Sequence, residues 1–596
     1  MNLFAIGTAP GRQLSLDSAR RATEEVAAFL PGLEGRRVEG WAAPGGDVVA
    51  VSLSHGPERV GDVRYAHFEE DEMALFAGRP IVWTSDDQAD GRGPLDPRFY
   101  LTPAEGWRND LDGRYTVARW QRETGRAELF TDSLGAYPVY SATGAGQIWV
   151  GNSPALLERL TGRRALSPEV LCAFFACGWS LSGDSVRAGV RRVPRGTRVT
   201  LRQGVVDEQP ELLPVEKLAS LFSTGFDAAA AARAINGAAA ALADWPGRPT
   251  EVAVTGGRDS RLAFAGALEA GIPFTAVTKA FAGQEGYPDT ADVVVARSLC
   301  QAVGIEHRVI RQQGGSSPLS DPARAASILA VTGPGTVSLG DSLELSLDGA
   351  AGPCPVLLGG QGAELAKGAY AKPDGSTSPE RIAAELLGKA SPRWPPRLVG
   401  AAGERLVRSW LHDWASEQID GGVPPSEVPT LFHLLVRLGR WGGPGLTSRD
   451  VGLDTTSPVW TARVLPHQLN LPLAQRKAGH FHARVLEELS PRLAALPYEQ
   501  ATSRGMREKL VREARRRVQR GLVPGHRQAT DPFAEAFAQI CEAALTQPDH
   551  SAWQVLGKRR VQRLLRRDPG TLDPRSRQQV LRLGTIFLAD TCPATT

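Results

Sequence analysis

Over residues 1–210 apolar and polar positions alternate in short runs broken by glycine-rich turns. The segments 73–83 (MALFAGRPIVW), 113–152 and 195–204 (RGTRVTLRQG) keep a period of two, the spacing of half-buried antiparallel strands, whose successive side chains point to opposite faces. Helical spacing interrupts them at 16–30 (LDSARRATEEVAAFL) and 167–177 (SPEVLCAFFAC), each with an Asp or Ser near its start that can cap a helix. This part of the chain is predicted to be an α+β layered sandwich. After Pro214 the texture changes. An Ala-rich helix (227–245) precedes strand 251–254, helix 260–271, strand 274–281, helix 290–304, strand 306–312 and a later strand ending in PVLLGG (355–360). Strands alternating with helices predict a parallel sheet covered on both faces. The remainder reads as mainly helical, apart from a polar loop from Ala371 to Pro379.

Composition narrows the function classes. With 596 residues, 42% of them hydrophobic and 22% charged, the chain has room for several folded units. Lys and Arg exceed Asp and Glu by 68 to 65, too little for bulk attraction to nucleic acid or anionic lipid. No run approaches the ~20 apolar residues of a membrane helix, and the start, MNLFAIGTAPGRQLSLDSARR, lacks the charged and apolar regions of a signal peptide. The six cysteines are scattered without a CxxC pair. A cytoplasmic protein with reduced thiols is expected, with no nucleic-acid or membrane partner.

Two strand ends carry candidate chemistry. The first is Val254-Thr255-Gly256-Gly257-Arg258-Asp259-Ser260, between a strand and a helix. Such a loop offers backbone N–H groups and the positive end of a helix dipole to an anion. Thr255 and Ser260 add hydroxyls, and Asp259 suits a bridging Mg²⁺, which favours carboxylate plus phosphate oxygens. The second is Gly359-Gly360-Gln361-Gly362-Ala363-Glu364, where glycines again meet a carboxylate as a strand stops. Each alone is ordinary punctuation between elements; together they point to one metal–nucleotide site.

These motifs carry a resemblance. TGGRDSR is similar to the SGGxDS pyrophosphate loop of the ATP-pyrophosphatase ligases, and GQGAELAKGAY (360–370) aligns without a gap on the GEGADELFGGY-type motif of class B asparagine synthetases. DVVVARSLCQAVGIEHRVI and SPVWTARVLPHQLNLP resemble further segments of that family, and residues 113–140 resemble its glutaminase-domain hairpins. The resemblance implies a degenerate glutaminase-like (Ntn-type) domain at 1–210. It implies an α/β ATP-pyrophosphatase (adenine nucleotide α-hydrolase-like) synthetase domain with a helical C-terminal part at 211–596. It further implies ATP bound by Val254, Thr255, Gly256, Gly257, Asp259, Ser260, Val277, Gly359 and Gly360, and Mg²⁺ held by Asp259 and Glu364.

Departures from the family pattern sharpen the expectation. A class B glutaminase needs a cysteine after the initiator Met as its nucleophile, whereas this sequence reads Met1-Asn2-Leu3. Glutamine-derived ammonia is not expected. Gln361 and Leu365 replace acidic residues of the second motif, which implies a redesigned acceptor pocket. In these features the chain most resembles the lasso peptide cyclases of actinobacteria. That likeness implies adenylation of an Asp or Glu side chain in a leader-free core peptide and attack by the peptide's own N-terminal amine. It also implies a leader-recognition protein and a leader peptidase as partners. A β-lactam-forming or ammonia-dependent amide ligase and a non-catalytic scaffold are the alternatives.

The family's oxyanion-stabilising cation corresponds to Arg504 or Lys509. Gln361 and Trp441 are expected at the substrate, although Arg440-Trp441-Gly442-Gly443-Pro444 reads equally as a plain turn. His307 is expected to be a packed residue, and His480 and His482 to lie on a solvated helix face. The basic stretches REARRRVQR and GKRRVQRLLRR of the tail read as solvated faces or subunit contacts.

Overall fold

The computed structural model describes the chain except for positions 1, 214, 334, 336 and 376 and the segments 31–35, 57–59, 223–224, 282–290, 313–318, 341–352, 373–374, 391–397, 451–452, 499–531 and 590–596. Up to Pro210 the strands form two antiparallel sheets. The first runs Val190–Arg192, Tyr140–Gly144, Gln147–Gly151, Asn2–Thr8, Val48–Ser54, Arg37–Ala42 in spatial order. The second runs Val205–Pro210, Thr197–Arg202, Arg126–Thr131, Leu111–Gln121, Glu72–Trp83, Ala66–Phe68, with Ala89–Asp90 paired to Glu72–Trp83.

The sheets pack face to face. Phe4, Ile6, Val48 and Ala50 of one meet Met73, Leu75, Ala118 and Leu129 of the other in one buried cluster. The alternate residues of the first sheet, Leu3, Ala5, Val49 and Val51, pack outward in a second cluster with Val26 and Phe174. Asn2–Thr8 and Val48–Ser54 are therefore buried at every position, which is why their sequences lack the period-two signal. The outer face of the second sheet, including Phe76, Tyr115 and Val117, packs against Ile235, Val254 and Phe264 from beyond residue 210.

Local chemistry sets the helix ends. Ser15, Ser153 and Ser167 each accept a backbone N–H from three residues ahead, worth about 1 kcal/mol apiece. Gly162 and Gly178 close two of these helices in the left-handed conformation. Arg79, on a strand of the second sheet, donates to the carbonyls of Ala241 and Leu242 at the end of helix Ala228–Ala243. Buried terminal carbonyls need such donors.

Past the Ala-rich helix lies a five-stranded parallel sheet. Its strands are β1 (Thr250–Ala253), β2 (Thr275–Phe281), β3 (His307–Gln312), β4 (Val356–Leu358) and β5 (Asp454–Thr456), in the order β3-β2-β1-β4-β5. Helices α1 (Arg258–Glu269) and α2 (Ala291–Val303) link the first three. β5 lies within the stretch expected to be mainly helical. Its sequence, Asp-Thr-Thr, has no apolar residue, yet all three are buried. Asp454 is neutralised by Arg248 at 2.7 Å, and the Thr455 carbonyl accepts from Arg114. A polar strand of this kind is invisible to hydrophobic periodicity.

A second polar join fastens the antiparallel sheets to the parallel one. The Asp112 carboxylate accepts N–H groups from Ala462 and Arg463 at 2.9 and 3.2 Å. Arg114 grips both oxygens of Asp450 at 2.8 and 2.6 Å. Among the described residues no helix is long and apolar enough to cross a membrane. The basic stretch of the tail that is described, Lys558–Leu565, buries Val561 and Leu565 and exposes its charges; REARRRVQR lies outside the described residues.

None of the five described cysteines forms a disulfide. Burial pushes Cys172 and Cys300 up to about 11 and Cys177 to about 12. At pH 8 a thiol with a pKa of 11 is only ~0.1% thiolate. Iodoacetamide at that pH is expected to leave these three unmodified in the native protein and to label them in guanidinium. Rapid native labelling, read by peptide mass, would contradict this burial.

Candidate active site

Parallel order reverses between β1 and β4, and at such a switch point the chain diverges to opposite sides and leaves a crevice at the carboxyl ends of the strands. Both glycine–carboxylate motifs emerge there. β1 ends at Ala253, and the Val254 N–H is taken by the Val277 carbonyl. Thr255 then folds the loop back: its N–H donates to the Ser260 hydroxyl at 3.1 Å, and the Thr255 and Ser260 hydroxyls lie 2.9 Å apart. The Gly257 N–H donates to the Thr255 hydroxyl, and the Gly256 N–H to Asp292 at the start of α2. α1 begins after Gly257 without a side-chain cap, so its first N–H groups and the positive end of its dipole face the crevice. Val277 is buried within β2. At this site it contributes the carbonyl that holds Val254.

The second loop leaves β4 with the Gly359 N–H bonded to the Thr456 carbonyl. Gly360 lies directly on the first loop: a Cβ there would stand 2.4 Å from the carbonyl carbon of Asp259 and 2.5 Å from the Ser260 nitrogen. Gly362 has a φ of +92°, with Trp460 filling the space a side chain would need. Gly360 lets the two motifs touch, and Gly362 lets the second loop turn against Trp460. Gly360→Ala is expected to wedge the loops apart, costing about 1–3 kcal/mol. Urea denaturation and nucleotide binding would register it; an unchanged variant would show that the close approach is unimportant.

The polar centre is Asp259. One carboxylate oxygen accepts Lys367 Nζ at 2.5 Å and the other pairs with His482 Nε2 at 2.8 Å. Burial alone raises its pKa, but His482 and Lys367 outweigh burial and hold the carboxyl below its usual range. Burial outweighs the pull of Asp259 and holds His482 itself below its ordinary value. Glu364 accepts the Gly362 N–H at 2.8 Å, and burial together with the charge of Asp259 raises its pKa. Two carboxylates that repel across the gap between the loops form a donor pair that a divalent cation satisfies, and Mg²⁺ commonly takes one or two carboxylates and fills its shell with water and phosphate oxygens. Lys367, partly exposed, holds that position on Asp259. The one cluster of three close metal-type side chains among the described residues, His67, Glu69 and Glu72, belongs to the second antiparallel sheet and its edge.

Beside Glu364 lies a cavity of about 110 Å³, bounded also by Gln361, Trp441, Trp460 and Leu438. Gln361 Oε1 and the indole N–H groups of Trp441 and Trp460 are buried without a hydrogen-bond partner. Orphaned polar atoms around one space are costly unless a polar ligand meets them. Trp441 is not in a turn. It lies near the end of a π-helix, α3 (Phe432–Gly442), with Arg437 stacked 3.4 Å from its ring centre. π-Helical turns recur at functional sites because the wider turn re-aims side chains. The same segment carries His433, stacked on Tyr370 and 3.9 Å from Glu364. Burial and the charge of Arg437 pull His433 down to about 4, leaving it neutral.

Lys367, His482 and His433 were not among the expected site residues. Lys367 stands inside the second motif, three residues after Glu364, so a basic residue close to a candidate metal ligand was its signal. His482 corrects the expectation of a solvated face: it is 1% exposed, and its helix, His480–Leu489, presents it inward beside buried Phe481 while His480 faces solvent. His307 pairs with the Thr278 hydroxyl at 2.8 Å. Arg504 and Lys509 lie outside the described residues.

No protein-family model matches this chain, and no curated protein does. Among solved structures it is similar to an allosteric regulatory enzyme of purine biosynthesis, at 10% identity over 54% of this chain and 77% of that one, with a TM-score of 0.25. It is also similar to glutamine phosphoribosylpyrophosphate amidotransferase from B. subtilis complexed with ADP and GMP, at 11% identity over 60% and 81%, with a TM-score of 0.24. Both neighbours are enzymes by description; scores of this size assign no activity to this chain.

Proposed function

We propose that this chain is an ATP-dependent, AMP-forming carbon–nitrogen ligase that activates a carboxylate and joins it to an amine. The observation that carries the reading is the meeting of two glycine–carboxylate loops at the switch point of a parallel sheet, with Asp259 poised between Lys367 and His482. In this reading residues 211–596 are an asparagine-synthetase-like unit, and 1–210 a glutaminase-like unit that supplies structure. The uncapped start of α1 and the hydroxyls of Thr255 and Ser260 bind the nucleotide phosphates. Asp259 and Glu364 would hold Mg²⁺, which when bound supplies charge neutralisation on phosphate oxygens. Gln361, Trp441 and Trp460 orient the acceptor through their unpartnered polar atoms.

The resemblance to lasso peptide cyclases names the substrate: a leader-free core peptide whose Asp or Glu side chain is adenylated and attacked by its own N-terminal amine. Holding both groups in one site makes ring closure unimolecular. The small cavity beside Glu364 favours a second reading, ligation of a small molecule as in β-lactam-forming or ammonia-dependent amide synthetases. The purified chain, given Mg·ATP and either core peptides or aspartate with ammonia, separates them by pyrophosphate release and product mass. Loss of one water from a peptide supports the cyclase, and turnover of aspartate the alternative. Failure to release pyrophosphate with either, in the presence of the expected leader-processing partners, would overturn the ligase proposal.

A further inference from the structure

A larger cavity, of about 290 Å³, lies where loops of the antiparallel sheets meet helix Ala401–Asp420 and α3. Three guanidinium groups line it: Arg192, Arg195 and Arg440. Arg192 and Arg440 run side by side over Gly183, whose missing Cβ would stand 2.8 Å from Arg192 Cδ and 3.1 Å from Arg440 Cγ. Each arginine is anchored by carbonyls alone. Arg192 donates to Gly135 and Gly439, Arg195 to Ser133, and Arg440 to Leu181. Among the described residues none of the three has a carboxylate at ion-pair distance.

The cavity has further unmet polar capacity. Arg192 Nη1 is buried without a hydrogen-bond partner, as is Oε1 of Gln418, a residue only 3% exposed. Among the described residues Glu417 is the single carboxylate on the lining, and much of the remaining described wall is apolar, including Trp414 and Leu435. Asp132 and Asp184 offset part of the charge of these arginines without pairing with them, and three like charges around one partly enclosed space favour an entering anion. Burial lowers Arg195 to about 10, and burial with the charges of Arg192 and Arg440's other neighbour Arg195 lowers Arg440 to about 10. A guanidinium keeps its charge at neutral pH even so. Planar forks aimed at one space match the oxygens of a carboxylate or phosphate, and the volume sits near the lower end for small-molecule sites.

We infer that this cavity is a binding site for a small, multiply charged oxyanion, separate from the candidate active site and independent of the reaction proposed for it. Arg440 directly precedes Trp441, so the oxyanion would bind beside the residue that walls the acceptor cavity.

Calorimetric titration of the full chain at fixed ionic strength tests this, with inorganic phosphate in one arm and citrate in the other. Saturable binding is expected in at least one arm, and the arm that binds names the oxyanion. Arg195→Met removes one charge and a single 3.2 Å anchor; it should weaken binding about tenfold, the order expected for a charge-assisted hydrogen bond. Glu417→Gln removes the opposing charge without losing a cation and should tighten binding severalfold. These opposite signs separate the site from general loss of fold, which weakens both. Absence of saturable binding in both arms, or binding that neither substitution changes, would overturn the proposal.

Discussion

Asp259→Asn is expected to cut pyrophosphate release by at least about 100-fold, the scale on which loss of a charge at a phosphoryl-transfer centre is felt. The wild-type carboxylate receives Lys367 on one oxygen and His482 on the other. An asparagine amide keeps an acceptor for the imidazole but turns an NH₂ toward the ammonium, which repels it, and it offers no charge to a cation. The fold should survive, because Asp259 sits on the first turn of α1 rather than in the apolar core. Circular dichroism and the urea midpoint check that the fold is retained, and release of labelled pyrophosphate measures the loss. Undiminished release would remove this crevice as the site of ATP cleavage. Lys367→Met, which strips the cation but leaves the carboxylate, should have a smaller effect.

Asp450→Asn is expected to cost about 3–5 kcal/mol of stability, the usual result of stranding one partner of a buried ion pair. Both side chains are almost inaccessible, at 4% for Arg114 and 2% for Asp450. Arg114 also bonds the Thr447 hydroxyl and the Thr455 carbonyl. The substitution leaves its charge buried where one second-sheet strand meets the end of helix Gly443–Arg449 and β5. Replacing both partners, Arg114→Leu with Asp450→Leu, removes the stranded charge and should destabilise less than the sum of Arg114→Leu and Asp450→Leu made singly. Urea denaturation of the four proteins gives the coupling. Additive costs would mean that the pair is not a cooperative fastening between the two sheet systems.

Much of the architecture was legible in the chain. The alternating runs at 73–83, 113–152 and 195–204 predicted strands, and antiparallel strands stand there. Strand–helix alternation after residue 250 predicted a parallel sheet, and the observed pairings of β1 with β2 and β4 are parallel. The half-buried expectation holds for Thr197–Arg202, whose positions alternate, whereas Glu72–Trp83 and Leu111–Gln121 are buried on both faces at nearly every position. The places where reading failed share a physical cause. Asp-Thr-Thr becomes a strand because Arg248 and Arg114 satisfy its polar groups, and neither arginine is a neighbour in sequence.

The same division runs through the candidate site. The sequence by itself determined the glycines, hydroxyls and carboxylates of each loop, because a tight strand-to-helix turn and its hydrogen bonds are local, as between Thr255 and Ser260. Only the tertiary structure decided that Gly360 rests on the Asp259 backbone, that Lys367 reaches across 108 positions to its carboxylate, and that His482 arrives from 223 positions away. Those contacts depend on the order of strands in the sheet and on which side of a helix is packed inward. Hydrophobic spacing marks Phe481 as a core residue, but whether its neighbour His482 turns toward water or toward a carboxylate is settled by what lies on the far side of the interface.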